Sequence, residues 1–353
     1  MNDAVLDVPV THDAIDGVPA PSANPALFGH AGIRAFLAQS YQSGQMHHAL
    51  LLEGPQGVGK ATLAFHLAGH MLKYPQTSDA PPALAEPDFG VAPYRQLATG
   101  THLSILHISR PFDAKTGKFK TGIPVEEIRR VTHFLNRKSH DGAWRIVIVD
   151  PADDMNRNAA NALLKTLEEP PKRTLFILIS HSSGRLLPTI RSRCQSIRFE
   201  PLNRQDLVSA LSAINLDTQA LPDAEQLVIH ADGSVRKAAL LLAFGGLEIA
   251  GAVDNILGKA VFDVPKAHAL ATALSGRDAE IQYDLFLDDL LARIATKARL
   301  AAEQGVTSQA NYWSLIWQDM QNEARDAAAF NLDRKQTVLI FLERMQRALA
   351  QST

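Results

Sequence analysis

The stretch ALLLEGPQGVGKATLAFHL, residues 49–67, contains the residue types that bind phosphate. Gly54, Gly59 and Lys60 stand at the spacing GxxxxGK, and Gly57 lies between them. Glycines let a loop curl so that backbone N–H groups point inward, the helix that follows adds positive potential, and the lysine reaches the outer phosphates. The sequence therefore predicts a loop that binds the phosphates of ATP. An ordinary glycine-rich turn between a strand and a helix is the alternative.

The position after the lysine departs from this pattern. A phosphate loop usually has Ser or Thr there, because the hydroxyl binds Mg²⁺. This chain has Ala61, with Thr62 one step later. One step along a helix rotates a side chain by about 100°, so Thr62 should not replace the missing hydroxyl directly. We expect nucleotide to bind through the backbone, Lys60 and Thr62, with Mg²⁺ weakly held or absent.

The second candidate feature is an acidic residue directly after the apolar run RIVIV. Asp150 ends that run, where a buried strand of a hydrolysing enzyme delivers a carboxylate to the nucleotide. The neighbour that would polarise water in such an enzyme is Pro151, which has no acid–base chemistry and fixes its own backbone. The pattern predicts half of a hydrolytic site. A turn or helix-capping role for Asp150 is the alternative.

Five short runs, mostly apolar, must position these residues. They alternate with amphipathic helical patterns, which favours an α/β domain with a parallel sheet buried on both faces. The predicted strands are ALLLEG (49–54), HLSILHI (102–108), RIVIVD (145–150), TLFILIS (174–180) and SIRFEP (196–201). Residues 75–101 interrupt the alternation with a Pro-rich loop, and helical patterns alone continue after residue 203.

Composition limits the remaining possibilities. A chain of 353 residues favours two or three domains, and its net charge of −2 gives no global attraction to nucleic acid. The one cysteine, Cys194, excludes an internal disulfide and a cysteine-based zinc cluster, so no metal site is expected. No apolar run is long enough to span a membrane, and the start has no secretory signal, so we expect a cytoplasmic protein.

The domain limits follow from the changes in pattern. Residues 1–23 are polar and contain several prolines, so we expect a flexible N-terminal segment. Residues 24–201 form a predicted α/β domain that contains the phosphate loop, 202–246 a small helical domain, and 247–353 a terminal helical domain.

Further motifs resemble a known family. NALLKTLEEPP (161–171), the strand LFILIS and the segment LPTIRSRC (187–194), together with the phosphate loop, resemble the clamp-loader branch of the AAA+ ATPases. The resemblance covers residues 24 to about 245. It implies an AAA+ P-loop domain with a parallel sheet, a small helical lid and a C-terminal all-helical collar.

Three departures indicate which kind of subunit the chain resembles. Motor subunits of the family, gamma/tau, have a hydroxyl after the lysine, an Asp-Glu pair and a four-cysteine zinc module. This chain has Ala61, Asp150-Pro151 and a cysteine-free loop over 75–101. The resemblance thus implies a non-motor component of the DNA polymerase III holoenzyme, doubtful as an ATPase. Partners would be gamma/tau and delta in a hetero-pentameric ring, with the sliding clamp and primer–template DNA reached through the complex.

The resemblance also assigns roles to three further residues. Arg193, in the Ser-Arg-Cys triplet, matches an arginine finger that reaches the γ-phosphate of a neighbour's ATP. His181 stands at the first sensor position, where the family often has Thr or Asn, and Arg236 matches the second sensor. The alternatives are a surface arginine, a loop histidine and a solvated helix residue.

Two other functions compete with this interpretation. An autonomous ATP-driven motor of the gamma/tau type would need Asp153 or Asp154 to replace the missing acid. A small-molecule kinase would need an acceptor-binding lid between the strands, and the sequence shows none.

Overall fold

A computed structural model describes residues 11–84, 86–136, 143–216, 224–259 and 261–351. They divide into two compact units. The first comprises Met1–Pro222 with Asp232–Arg236, and the second comprises Asp223–Ala231 with Lys237–Thr353. The stretch 202–246, predicted as one lid domain, is shared between these units. The predicted domain limits therefore stay a prediction.

The first unit alternates strands and helices. Its strands are β1 (Ala49–Glu53), β2 (Ile105–Ile108), β3 (Phe112–Asp113), β4 (Lys118–Phe119), β5 (Arg145–Val149), β6 (Thr174–Ser180) and β7 (Gln195–Arg198). Its helices are α1 (Ala31–Gln42), α2 (Lys60–Lys73), α3 (Ala92–Ala98), α4 (Val125–Asn136), α5 (Arg157–Glu168), α6 (Pro188–Arg191) and α7 (Arg204–Ala213). Short 3₁₀ helices occupy Thr77–Asp79, Ala152–Asp154 and Ser183–Arg185.

All five predicted strands are present in one sheet, in the order β2-β5-β6-β1-β7. Every pairing in it is parallel, which confirms the predicted α/β class. Side chains alternate along β1: Leu50 and Leu52 pack into one apolar cluster, and Ala49 and Leu51 into another. Helices cover both faces, and all seven residues of β6 are consequently buried. The carboxyl ends of β1, β5 and β6 carry the candidate site residues.

Helix α5 shows how local sequence sets an element's limits. The side chain of Asn156 accepts a hydrogen bond from the N–H of Ala159 and caps the first turn. An apolar stripe that includes Leu163 and Leu167 packs against the sheet. The helix ends at Glu168, just before Pro170-Pro171, since proline cannot continue a helix. The motif NALLKTLEE thus belongs to a helix that ends shortly before the central strand β6.

The Pro-rich stretch 75–101 contains more structure than the predicted loop. Its second half forms α3, which has Pro93 in its first turn, where a proline is tolerated. Tyr94 and Leu97 of α3 are buried. A Cβ added to Gly69 of α2 would lie 2.2 Å from the Tyr94 ring, so a glycine is needed where the two helices meet.

The second unit is helical within its described residues. Its helices are α8 (Ala224–Ala231), α9 (Val235–Ala243, which begins in the first unit), α10 (Gly246–Leu257), α11 (Val264–Leu274), α12 (Glu280–Glu303), α13 (Thr307–Ala329) and α14 (Arg334–Gln351). Phe286, Trp313 and Phe341 belong to one buried apolar cluster that joins the long helices. Within the described ranges, no single helix is both long and apolar enough to cross a membrane.

Candidate nucleotide site and the edge at Arg193

The predicted phosphate loop connects β1 to α2 and has the backbone that its glycines allow. Gly57 and Gly59 have φ angles of 80° and 99°, which other residues rarely adopt. A Cβ on Gly57 would lie 2.3 Å from the hydroxyl of Ser234 and 2.5 Å from Cβ of Arg236. Helix α2 begins at Lys60, so its first N–H groups have no partner within the helix. The loop therefore retains the geometry for binding an anion.

Lys60 is buried beneath this loop, with 3% of its surface exposed. Its ammonium group donates to the carbonyl of Gly54 at 2.6 Å and to the carbonyl of Pro55. Burial lowers the pKa of Lys60 to about 8, while the charges of Asp150 and Asp153 act in the opposite direction. The lysine thus binds carbonyls of its own loop, and a phosphate would have to replace them.

Asp150 follows the last residue of β5, as predicted. Its N–H donates to the carbonyl of Ile108 at 2.9 Å, and its peptide bond to Pro151 is cis. Burial raises the pKa of the Asp150 carboxyl to about 7; the charge of Asp13 raises it further, and that of Lys60 lowers it. A carboxyl with this raised pKa is partly protonated near pH 7.

The two acids that could replace the missing acid of a motor are both bound to other groups. The carboxylate of Asp153 accepts hydrogen bonds from the hydroxyl of Ser180 at 2.7 Å and from the N–H groups of His181 and Ser182. Asp154 pairs with the guanidinium of Arg110. Both acids thus connect the turn after β5 to neighbouring segments.

The two predicted sensor residues also lie at the cavity. Burial lowers the pKa of His181 to about 4, with a further lowering from the charge of Lys60, so its imidazole is neutral near pH 7. Nη1 of Arg236 donates a hydrogen bond to the backbone carbonyl of Asp13. The residues just before it bind the phosphate loop, with the Ser234 hydroxyl 2.8 Å from the carbonyl of Gln56 and the Val235 N–H 3.0 Å from that of Gly57.

These groups surround a cavity of about 460 Å³, within the range of small-molecule sites. The predicted residues that line it are Gly57, Gly59, Lys60, Thr62, Asp150, His181 and Arg236. Gly54 is not among the lining residues; its backbone approaches Phe199 of the sheet instead, where a Cβ would lie 2.4 Å from the Phe199 carbonyl.

The cavity wall also contains a segment that the sequence did not indicate. Residues 11–23, predicted as a flexible lead-in, contribute Thr11, Asp13, Ala14, Ile15 and further residues to the lining. The Pro-dotted composition of this stretch gave no periodic pattern that would have placed it against the loop. Among the described residues, no group of three His, Cys, Asp or Glu side chains is arranged to hold a metal ion.

Arg193 lies outside the cavity lining, just after α6. Its Nη1 donates to the carbonyl of Thr189 at 2.8 Å, and its Nη2 lies 2.6 Å from a carboxylate oxygen of Glu168. The side chains of Arg193 and Glu168 are 35% and 49% exposed. The structure therefore brings the phosphate-loop residues together with both sensor positions and leaves Arg193 at a separate, solvent-accessible edge.

A phosphate loop between β1 and α2, an acid after β5 and a basic residue at the start of a later helix together define the fold class: a P-loop domain of the AAA+ type. The family model "DNA polymerase III, delta subunit" matches residues 29–203. The delta′ subunit of DNA polymerase III from Pseudomonas aeruginosa is 34% identical over 249 residues, which are 69% of this chain and 70% of that protein. The chain belongs to the DNA polymerase III delta′ family of clamp-loader subunits.

Other relatives lie in the same group of subunits. The delta′ subunit from Escherichia coli is 34% identical, over 56% of each chain. The tau subunit from Bacillus subtilis is 28% identical, over 74% of this chain and 47% of that protein. Among solved structures, a gamma subunit-related protein from Thermotoga maritima superposes with a TM-score of 0.47 at 17% identity, covering 89% of this chain and 99% of that chain.

Proposed function

We propose that this chain is the delta′-type subunit of a bacterial DNA polymerase III clamp loader. It assembles with gamma/tau and delta subunits into a hetero-pentameric ring in the cytoplasm. Through that ring it helps to load the sliding clamp onto primer–template DNA during replication. The observation that carries the proposal is the 34% identity to a delta′ subunit over 69% of the chain.

Within the ring, Arg193 acts as an arginine finger in trans. Three features support this: it lies outside its own nucleotide cavity, its side chain is partly exposed, and its ion-pair partner Glu168 is also exposed. A guanidinium presents several N–H donors in a planar fork that suits phosphate oxygens, and it stabilises the charge that develops during phosphoryl transfer. The neighbour's phosphate would replace Glu168 as the partner of Arg193.

The chain's own cavity binds ATP without effective hydrolysis. The loop backbone, Lys60 and Arg236 fit the phosphates of a nucleotide, and the apolar residues of the wall suit its base. Hydrolysis lacks two groups: Ala61 offers no hydroxyl for Mg²⁺, and Pro151 stands where an acid would polarise water. Asp153 and Asp154 offer no replacement, because their carboxylates already bind Ser180, backbone N–H groups and Arg110.

The second candidate is an active motor of the gamma/tau type. The observations that favour it are the intact GxxxxGK loop and the 28% identity to a tau subunit. ATP turnover by the isolated chain distinguishes the two. We expect no turnover above a Lys60→Ala variant, whereas turnover abolished by Lys60→Ala would support the motor.

The assembly itself is tested by reconstitution with the gamma/tau and delta subunits of the same organism. We expect the chain to co-elute with them in gel filtration and the mixture to load the clamp onto primed DNA only when the chain is present. Full clamp loading by gamma/tau and delta without the chain would contradict the proposal.

A further inference from the structure

Residues 11–24, here called the N-terminal strap, run along the nucleotide cavity. The strap consists of successive turns: the N–H of Ala14 donates to the carbonyl of Thr11, and the N–H of Val18 to that of Ile15. At its end, the carbonyl of Asn24 accepts a hydrogen bond at 2.8 Å from Nε2 of the buried His66 in α2. The strap is thus attached to the helix that begins at the phosphate loop.

The start of the strap contacts two other segments of the first unit. The ring of His12 packs edge-on against Phe119 of β4, with centroids 6.3 Å apart. The backbone carbonyl of the next residue, Asp13, accepts a hydrogen bond from the guanidinium of Arg236. The strap therefore reaches from α2 to the residue that matches the second sensor.

Asp13 also changes the electrostatics of the cavity. Its charge acts on Asp150, His181 and Arg236, and it is the charge that contributes most to raising the pKa of Asp150. A nucleotide brings several negative charges and needs the cations of the site. Both cations already have protein partners, since Lys60 donates to Gly54 and Pro55 while Arg236 donates to Asp13.

We propose that residues 11–14 of the strap compete with nucleotide for the site within the same molecule. These residues must leave Arg236 before the phosphates of ATP can reach that cation. The strap occupies the side of the cavity at Arg236 and adds the Asp13 carboxylate beside it. Apparent affinity for ATP is then reduced by the fraction of molecules whose strap is closed. This inference rests on the proposed nucleotide binding and adds the element that regulates it.

The experiment is titration of a fluorescent ATP analogue against the full chain and two truncated forms. Removal of residues 1–14 deletes the contact with Arg236, whereas removal of residues 1–10 leaves it in place. We expect the first truncation to bind about tenfold more tightly, as when the open fraction rises from roughly a tenth to nearly all molecules. We expect the second to bind as the full chain does.

A pair of point variants repeats the test without truncation. Asp13→Asn removes the charge beside Arg236, and Asp16→Asn makes the same change at an exposed strap residue outside the cavity lining. Asp13→Asn leaves the backbone contact with Arg236 in place and removes only the repulsion between the carboxylate and the phosphates. We therefore expect it to tighten binding of the analogue by about threefold. Asp16→Asn is expected to change nothing.

Three results would overturn the proposal, and they differ in what they leave standing. If the full chain binds the analogue as tightly as the form without residues 1–14, and Lys60→Ala weakens both, the strap does not compete although the nucleotide site is real. If neither form binds the analogue, the strap is not the barrier and the proposed ATP binding fails with it. A gain in affinity that survives Lys60→Ala would place the gain outside the phosphate loop.

Discussion

The nucleotide cavity and the edge at Arg193 both present cations that suit phosphate, but the two regions hold them differently. Lys60 is 3% exposed and donates to carbonyls of its own loop, and Arg236 donates to the strap. Arg193 has a side chain that is 35% exposed and pairs with Glu168, whose side chain is 49% exposed. An exposed ion pair is worth little in water, so its partner is easily exchanged. The cations of the cavity therefore donate to carbonyls of the protein itself, whereas the cation at the edge is accessible to another molecule.

The two regions also differ in which residues they provide for binding phosphate and which for hydrolysing ATP. The cavity keeps the glycines and the lysine that bind phosphate, yet it has Ala61 and Pro151 where hydrolysis needs a hydroxyl and an acid. The arginine finger proposed at the edge requires one guanidinium, and Arg193 provides it. A subunit in a ring can lose its own hydrolysis and still contribute to its neighbour's, because the two tasks depend on different residues.

The largest effect on the cavity is expected from Lys60→Ala. Loss of a charge-assisted interaction worth about 1.5–3 kcal/mol should weaken binding of an ATP analogue to the isolated chain by roughly 100-fold. The matched control is Lys172→Ala, an exposed lysine outside the cavity. Binding within twofold of the unmodified chain would show that the cavity does not hold phosphate through this lysine.

Asp150 gives the cavity a pH dependence. Its pKa rises from 3.8 to about 7 on folding, so the folded chain binds more protons than the unfolded chain between these values. Stability therefore falls as pH rises through this window. Asp150→Asn removes this ionisation. As pH rises from about 5 to 8, the free energy of unfolding of the variant should therefore increase by roughly 2–3 kcal/mol relative to that of the unmodified chain.

Chemical denaturation at several pH values checks this prediction. The exposed Asp16→Asn serves as the control for loss of one carboxylate. A stability difference between Asp150→Asn and the unmodified chain that stays constant with pH would contradict the proposed burial of a carboxyl at the cavity.

Ala61→Thr restores the hydroxyl that the loop lacks. We expect the affinity for the ATP analogue to become about tenfold higher with Mg²⁺ than with EDTA, because the hydroxyl supplies a metal ligand next to the phosphates. Ala61→Val has nearly the same shape without the hydroxyl, so it should show no such dependence. Strong Mg²⁺ dependence in the unmodified chain would show that the metal is already held.

The smallest effect is expected at the partner of Arg193. Glu168→Gln removes the carboxylate that competes with the neighbour's phosphate for the guanidinium. Since an exposed pair is worth up to about 1 kcal/mol, the ATPase of the assembled complex should rise by roughly two- to fivefold. Glu169→Gln changes the adjacent, exposed acid and should leave the rate unchanged. A fall in rate with Glu168→Gln would mean that Glu168 orients the arginine productively.

Local patterns predicted the parts of the molecule that local physics determines. The five apolar runs became the five parallel strands, and the GxxxxGK spacing placed Gly57, Gly59 and Lys60 in one loop. The strands follow from burial on both faces, and the loop follows from the φ angles that only glycine adopts readily. Each strand and the loop is therefore predicted from its own short stretch of sequence.

Contacts between distant segments could not be predicted in this way. Asp13 and Arg236 meet although 223 positions separate them, and no periodicity links the strap to the cavity. The roles of Asp153 and Asp154 depend on partners at residues 180–182 and at Arg110, which only the folded chain brings near. The pairing of Glu168 with Arg193 likewise joins two motifs that were recognised separately.

The most direct test of the account compares Arg193→Ala with Lys60→Ala in the reconstituted complex, with the clamp and primed DNA present. Arg191→Ala, an exposed arginine two positions away, controls for loss of charge. We predict that Arg193→Ala lowers ATP turnover by the complex at least about tenfold with assembly and melting temperature unchanged, as removal of a finger in trans requires. Lys60→Ala should lower it less than twofold. Unchanged turnover with Arg193→Ala, or an equal loss with Lys60→Ala, would contradict the account.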